Sequence, residues 1–358
     1  MPAAYFKSPD LEVAVSGRAV YEVDQALREV ERGKVAVALF TFDAVSPWDG
    51  PVEAPGRPGW PKTVFIVGDP VEVPKRTGRL EARLDWEEPR EIFYRRVREA
   101  KKALDAGEVF QLVVARYRRY KFRGDPWPLL SALKRRVSAK YYYLVDLDGF
   151  FLVGASPETL VRVENCYAVS GPVGGTRPRG TTPEEDTRLE QELINSVKDR
   201  AEHIMLVDSV RNDLGRVCRW GTVEVADMLR VEKYSHYQHL VSYIRCQLDK
   251  LYRPTDAVSA LNPTTTVSGV PKPRALELLA QLEEPRGPFA GSVGVVTKDT
   301  LDFAVVIRSL YVEQDHAYVW AGAGIVTDST EQNEWEETIV KMRPLVEILE
   351  NDGSKTKP

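Results

Sequence analysis

The sequence predicts an α+β fold, with largely antiparallel sheets flanked by helices, and three observations point to it. Short apolar runs bounded by turn residues crowd the middle of the chain, and a second group lies near the end. Asp148-Gly149 separates two of the middle runs, and such a pair is a strong signal for a two-residue hairpin. Strands grouped in this way, with helices interspersed, imply antiparallel pairing rather than a doubly wound sheet.

Helical spacing appears first at about 24 to 32. A Pro/Gly-rich stretch, 44 to 63, follows and is long enough to be a functional or mobile loop. A helix at about 88 to 106, a strand at 109 to 119 and a helix at 126 to 136 come next. Strands at about 141 to 147, 150 to 155, 159 to 164 and 166 to 170 complete the middle group. Gly171 to Gly180 reads as a loop whose main-chain N–H groups can approach a ligand closely. A phosphate site at the helix that follows is disfavoured, because Glu184 and Glu185 already occupy its positive end. That helix starts with Thr182 as N-cap, Pro183 at N1 and Glu185 closing a capping box, and is expected to continue to about 212. A helix at about 272 to 283 precedes a meander of strands at 291 to 297, 302 to 313 and 317 to 326. The last strand carries a second glycine cluster, Ala321 to Gly324. A final helix at about 330 to 350 begins at Ser329, capped with Gln332.

Two helical pairs of acids, Asp199 with Glu202 and Glu334 with Glu337, stand out. Each is spaced i, i+3, so both carboxylates leave the same side of the helix. In the first helix Leu189, Leu193, Val197, Ala201 and Ile204 recur at core spacing, with the acids on the other side. In the second, Trp335, Ile339, Met342 and Val346 form the apolar stripe, opposite Glu334, Glu337 and Lys341. A solvated helix face accounts for this spacing, with a Glu337–Lys341 pair contributing about 0.2–0.5 kcal/mol. Four carboxylates turned into one space would instead require a cation, and hard oxygen donors suit Mg2+.

Arg308 lies in an apolar run, so its guanidinium points into an enclosed region and needs an anion: either a structural ion pair or a ligand. Gln111 lies between Val109 and Val113, and a buried amide needs hydrogen-bond partners, in the core or in a site.

With 358 residues the chain can bury a large core, as two sheet layers or as two domains. A net charge of −4 argues against a nucleic-acid partner. The three cysteines, Cys166, Cys218 and Cys246, share no metal or CxxC spacing, so a reducing cytoplasm is expected. There is no apolar leader at the N-terminus and no run of about 18 apolar residues, so no membrane association is expected.

Ser156-Pro-Glu158, PVGGTRPRGTTPEED, DRAEHIMLVDSVRNDLGR, EKYSHYQHLVS, TTTVSGVPK, GSVGVV, IRSLYV and AGAGIVTDS with its EWEET helix occur in that order. Together they closely resemble the chorismate-utilising enzymes, and best the large component of anthranilate synthases, over about residues 88 to 350. The resemblance implies a two-layer sandwich flanked by helices. It divides the chain into 1–87, an N-terminal part of the sandwich shortened relative to the family, 88–350, the chorismate-binding core, and 351–358, a flexible tail.

The same resemblance assigns roles. Glu202 and Glu337 would ligate Mg2+ directly, with Asp199 and Glu334 acting through water. Arg308, Gly322, Gly324 and Lys341 would hold substrate carboxylates, while Gly175 and Thr176 pack against the ring and Phe289 replaces a pocket tyrosine. Glu158 would protonate the leaving hydroxyl and His239 would serve the loss of pyruvate. Thr266 keeps the threonine of the family's loop, and His236 is taken as structural. Relatives that add water carry a lysine base where this chain has Gln111. Relatives that aminate at C4, the aminodeoxychorismate synthases, typically carry a lysine where this chain has Gly174. Amination at C2 to give anthranilate is therefore expected, with 4-amination and a catalytically silent chorismate-binding homologue as alternatives. No cysteine sits in a glutaminase-type turn, so a separate class I glutamine amidotransferase subunit would supply ammonia. SAKYYY at 138 to 143 and the short N-terminal part depart from the family's tryptophan site, so weak or absent tryptophan inhibition is expected.

Overall fold

The computed structural model describes residues 1–74, 78, 80–234 and 237–353, the last three in backbone only. His236 and residues 354 to 358 of the expected tail lie outside the described residues. The strands are β1 (Ala3–Lys7), β2 (Glu12–Val20), β3 (Val35–Phe40), β4 (Thr63–Val71), β5 (Leu80–Glu87), β6 (Gln111–Gly124), β7 (Tyr141–Asp146), β8 (Phe150–Ser156) and β9 (Thr159–Glu164). They continue as β10 (Tyr167–Gly171), β11 (Val173–Pro178), β12 (Glu224–Lys233), β13 (Tyr237–Gln247), β14 (Gly269–Val270), β15 (Ser292–Val296), β16 (Thr300–Val305), β17 (Ser309–Glu313) and β18 (His316–Ile325). The helices are α1 (Val23–Glu31), α2 (Arg90–Asp105), α3 (Trp127–Arg136), α4 (Pro183–Asn195), α5 (Val197–Gly215), α6 (Pro254–Leu261), α7 (Lys272–Leu282) and α8 (Glu331–Gly353).

Each of these strand pairings is antiparallel. From one edge the order runs β5–β6–β18–β17–β8–β7–β1–β2, then β4–β3–β15–β16–β9–β10–β13–β12. β14 continues the β5 side of β6, and β11 continues the β10 side of β13. The consecutive strands β8 and β9 are distant in this order, as are β16 and β17. The chain therefore crosses between the two halves of the sheet at Pro157–Glu158 and again at Val306–Arg308. Main-chain bonds lace these crossings together: Val305 N–H to the Glu158 carbonyl at 3.1 Å, and Ala155 N–H to the Arg308 carbonyl at 3.2 Å. The result is the expected sandwich, with one core around Phe40, Phe65 and Phe303 and a second around Tyr120, Leu144 and Met342 under α3 and α8. The hairpin at Asp148-Gly149 is present, both residues having positive φ (53° and 113°) as its two-residue turn requires.

Three expectations are corrected. The helix expected from 183 to 212 is two helices, because Ser196 leaves helical geometry (φ −67°, ψ 111°) and its hydroxyl accepts from the Asp199 N–H at 3.2 Å. Serine competes for the backbone in this way and so favours caps over helix interiors. Leu193 is buried as expected, but past the break the stripe fails: Val197 is 82% and Ile204 44% exposed, Ala201 also faces solvent, and α5 instead buries His203, Leu206, Val207 and Val210. The strand expected from 302 to 313 is interrupted at the second crossing, so Arg308 belongs to a corner rather than to a strand face. At α8 the cap is Thr330, whose hydroxyl accepts from the Asn333 N–H, while the Ser329 hydroxyl accepts from the Val326 N–H.

Residues 44 to 63 are pinned at several points. Asp49 is buried and pairs with Arg216 at 2.5 Å and with buried Lys272 at 3.2 Å. Arg57 and Trp60 both bond to Glu313. Asp49→Ala would leave Lys272 with Asp213 as its one carboxylate and the Ala260 carbonyl, and the expected loss is about 3 kcal/mol, measurable by urea denaturation. Cys218 and Cys246, 28 residues apart, are joined by a disulfide across Cα atoms 6.0 Å apart, a pairing that motif spacing does not disclose. Cys166 is free and exposed. Among the described residues no helix is long and apolar enough to cross a membrane.

Candidate active site

A cavity of about 500 Å3 opens beside the two crossings. Its walls come from β6, β11, β13 and β18, from the N-terminal halves of α5 and α8, and from the turn before β14. All fifteen residues singled out from the sequence line it: Gln111, Glu158, Gly175, Thr176, Asp199, Glu202, His239, Thr266, Phe289, Arg308, Gly322, Gly324, Glu334, Glu337 and Lys341.

Glu158 sits on the first crossing and is 3% exposed. Burial pushes its carboxyl up to about 7, against the pull of the Thr266 hydroxyl, the Val173 backbone and the Lys341 charge. Thr266 donates to Glu158 Oε1 at 2.7 Å. A carboxyl so placed holds a proton near neutral pH and can give it up to a leaving group. His239, on β13, is also buried, and its Nδ1 lies 2.9 Å from the Thr176 hydroxyl. Burial, aided by the charges of Arg308 and Lys341, lowers it to about 4, so the ring is neutral over the physiological range.

Arg308 occupies the second crossing with φ +51°, a conformation an L-residue holds only when its surroundings enforce it. Its guanidinium donates to the Lys341 carbonyl at 3.3 Å and stands over the Tyr237 ring at 5.6 Å. Burial lowers its affinity for its proton, opposed by Tyr237 and Glu337. Among the described residues it has no carboxylate within ion-pair distance, so a structural ion pair does not account for it. Lys341 donates to the Gly322 carbonyl at 2.8 Å and pairs with Glu337 at 2.5 Å, so the surface-type pair expected from spacing does form. Gln111 opens β6, 6% exposed, with Oε1 buried and lacking a hydrogen-bond partner. Its amide nitrogen lies against Gly324, where a Cβ would stand only 2.6 Å away.

The four acids line the same cavity, and Asp199, Glu334 and Glu337 lie near enough to Glu202 to repel its charge. The break at Ser196 puts Asp199 in the first turn of α5, at its positive end, where a carboxylate is favoured. Gly175, with φ +55°, makes that approach geometrically open: a Cβ there would lie 3.2 Å from the Asp199 Cβ. Asp199 pairs with Arg177 at 2.8 Å. Glu202 Oε1 is buried without a hydrogen-bond partner, and the nearest cation, Lys198, is 3.9 Å away. Burial raises the Glu202 carboxyl, and Asp199, Glu334 and Glu337 push it in the same direction, partly offset by Lys198. Glu334 is raised too, by burial first. Among the described residues no three His, Cys, Asp or Glu side chains are already gathered as a finished cage. An orphaned carboxylate oxygen amid mutually repelling acids nevertheless fits a hard divalent cation.

Phe289 stacks on Trp320, with centroids 5.7 Å apart and 18° between planes, as an apolar wall of the cavity. Trp320, Tyr237 and Arg177 also line the cavity, and the sequence reading passed over all three. Arg177, between two prolines' worth of turn signal, gave no pattern of its own; only the fold brings it to Asp199. Tyr237 was legible only as a member of a histidine-rich run.

A family model described as chorismate binding enzyme matches residues 69–347. A protein of Saccharolobus solfataricus named anthranilate synthase component 1 is 45% identical over 255 residues, covering 71% of this chain and 61% of its own length. The like-named protein of Aquifex aeolicus is 42% identical over 256 residues, and the match spans 52% of its length. The chain thus spans between half and two thirds of these relatives. Among solved structures, anthranilate synthase component I from Streptococcus pneumoniae superposes with a TM-score of 0.79 at 26% identity, covering 95% of this chain and 89% of its own.

Proposed function

Since the chain belongs to the family of chorismate binding enzymes, we propose that it aminates chorismate at C2 and releases pyruvate, yielding anthranilate, with ammonia supplied by a separate glutaminase subunit. The observation that carries this reading is the pairing, in one cavity, of a carboxyl whose burial raises its hold on its proton, Glu158, with an amide, Gln111, where a water-adding enzyme would need a base. An amide cannot deprotonate water, whereas ammonia already carries its lone pair and needs only a hydrogen-bond acceptor to orient it. The unpartnered Gln111 Oε1 is suited to that task.

Arg308 and Lys341 bind the carboxylates of the substrate, and the Phe289–Trp320 wall excludes water beside the ring. As the C2–N bond forms, the ring double bonds shift and the C4–O bond breaks. The Glu158 proton goes to the departing hydroxyl, which leaves as water, while the new C2 ammonium gives its extra proton to solvent, from which Glu158 is reprotonated. In the second stage a base takes the C2 hydrogen and the C3–O bond breaks, so the side chain departs as the enolate of pyruvate, which takes up a proton at its methylene carbon, and the ring becomes aromatic. His239, neutral and braced by Thr176, stands ready to take or return a proton at this stage. Glu202 and Glu337, with Asp199 and Glu334 behind water, would hold Mg2+, which supplies charge neutralisation for the ring carboxylate.

The test is to mix the protein with chorismate, Mg2+ and ammonium salts and follow anthranilate fluorescence, with product identified by chromatography. Anthranilate is the expected product; a 4-amino product, isochorismate or no turnover would reject the reading. Added glutamine without a partner subunit is expected to give no product.

A further inference from the structure

We propose that Arg286 is a positioning residue for the acid Glu158, acting through Val267 and Thr266, a reading that rests on the function above. Arg286 lies in the loop between α7 and β15 and is 2% exposed, yet it does not line the cavity. Its guanidinium makes four hydrogen bonds in a planar fork. Nε and Nη2 donate to the two oxygens of Glu283 at 2.7 and 3.1 Å, Nη1 donates to the Val267 carbonyl at 2.7 Å, and Nη2 donates to the Val113 carbonyl at 2.6 Å. Glu283 in turn accepts from the Ala115 N–H at 2.6 Å, and the Phe42 ring lies 4.5 Å from the guanidinium carbon.

These contacts tie two pieces of cavity wall together. One is β6, which carries Gln111 and Val113; the other is the turn that carries Thr266 and Val267. The peptide held through the Val267 carbonyl directly follows one whose side chain donates to Glu158. Arg286 thereby fixes where the Thr266 hydroxyl stands and hence which way Glu158 points. Lysine would keep the charge, but its single ammonium cannot span two carbonyls and a carboxylate in one plane. Of the charged side chains, Lys341, from α8, acts on Glu158, while His239, Arg308 and the four acids line the same cavity and Arg286 does not.

The experiment compares the wild type with R286K, T266V, the double variant R286K/T266V and E283Q. Activity is measured against pH, per concentration of free ammonia, beside the infrared carboxyl band of Glu158 identified by its absence in E158Q. R286K is expected to lower kcat on the order of 10²-fold, with KM for chorismate and the Mg2+ requirement unchanged. The alkaline limb of its profile, and the titration of the Glu158 band, should move to higher pH, because a hydrogen bond favouring the ionised carboxylate is loosened. T266V should show the same shift, and the double variant no more than T266V alone. An unmoved limb and band in R286K, or effects that multiply in the double variant, would overturn the proposal. Should R286K not fold, E283Q decides by the same two readouts, a moved band supporting and a stationary one overturning it. If the wild type makes no anthranilate, the functional reading fails, and the infrared titration alone still judges whether Arg286 sets the state of Glu158.

Discussion

Glu158→Gln is expected to lower kcat by about 10²–10⁴-fold, the usual contribution of a general acid, while leaving chorismate bound. The amide keeps the shape and can still accept from Thr266, but it has no proton to give. In the wild type the free-enzyme rate per unit of free ammonia should fall as pH rises through about 7, where Glu158 loses its proton, and this limb should vanish in the variant. Stability should fall over the same rise in pH. A carboxyl whose folded value lies near 7 against an ordinary 4.5 binds its proton more tightly in the folded state. The protein therefore loses stability as pH rises from about 4.5 to about 7, and the full cost persists above that. At about 1.4 kcal/mol per unit the cost is at most about 3 kcal/mol. Thermal melts at about pH 8 should show the variant more stable than the wild type, with the gain shrinking toward pH 5. A variant of unchanged activity, or one without an alkaline stability gain, would remove Glu158 from its role.

Glu202→Gln is the second change of large expected effect. Its buried, unpartnered oxygen is the atom most in need of a cation, so Mg2+ affinity should fall by at least about 10–100-fold, the range seen when even outer contacts of a metal are lost. Calorimetric titration with Mg2+ and the Mg2+ dependence of the rate both read this. In the presence of a chelator the variant should melt higher than the wild type, since repulsion from Asp199, Glu334 and Glu337 is relieved. Equal Mg2+ affinity in the two proteins would show that the four acids do not hold the metal.

Much of this was legible in the chain. Turn chemistry fixed the Asp148-Gly149 hairpin, and the Thr182-Pro183 start of α4 stands where expected, the Thr182 hydroxyl accepting from the Glu185 N–H. Ordered motifs placed fifteen residues on one cavity, because each motif carries its side chains on a short, locally determined element. What escaped depends on distance in the chain. Periodicity could not see that Ser196 would break a helix whose apolar spacing continues unbroken through it, and so assigned the stripe to the wrong face. The corner at Arg308 looked like uninterrupted strand, since an apolar run is compatible with both. The first strands of the chain were not recognised from pattern, and Arg177, Arg286 and the Cys218–Cys246 bond acquire meaning only from partners far away in sequence.

The two crossings have a consequence for how the molecule can move. Glu158 and Arg308 are themselves the joints by which the chain passes from one sheet to the other, and Val305 and Ala155 bolt those joints to each other. A breathing motion that parted the sheets would separate Glu158 from Arg308 in the same stroke. Opening the molecule along this seam would break both main-chain bonds at once, so the cavity and the seam share one fate.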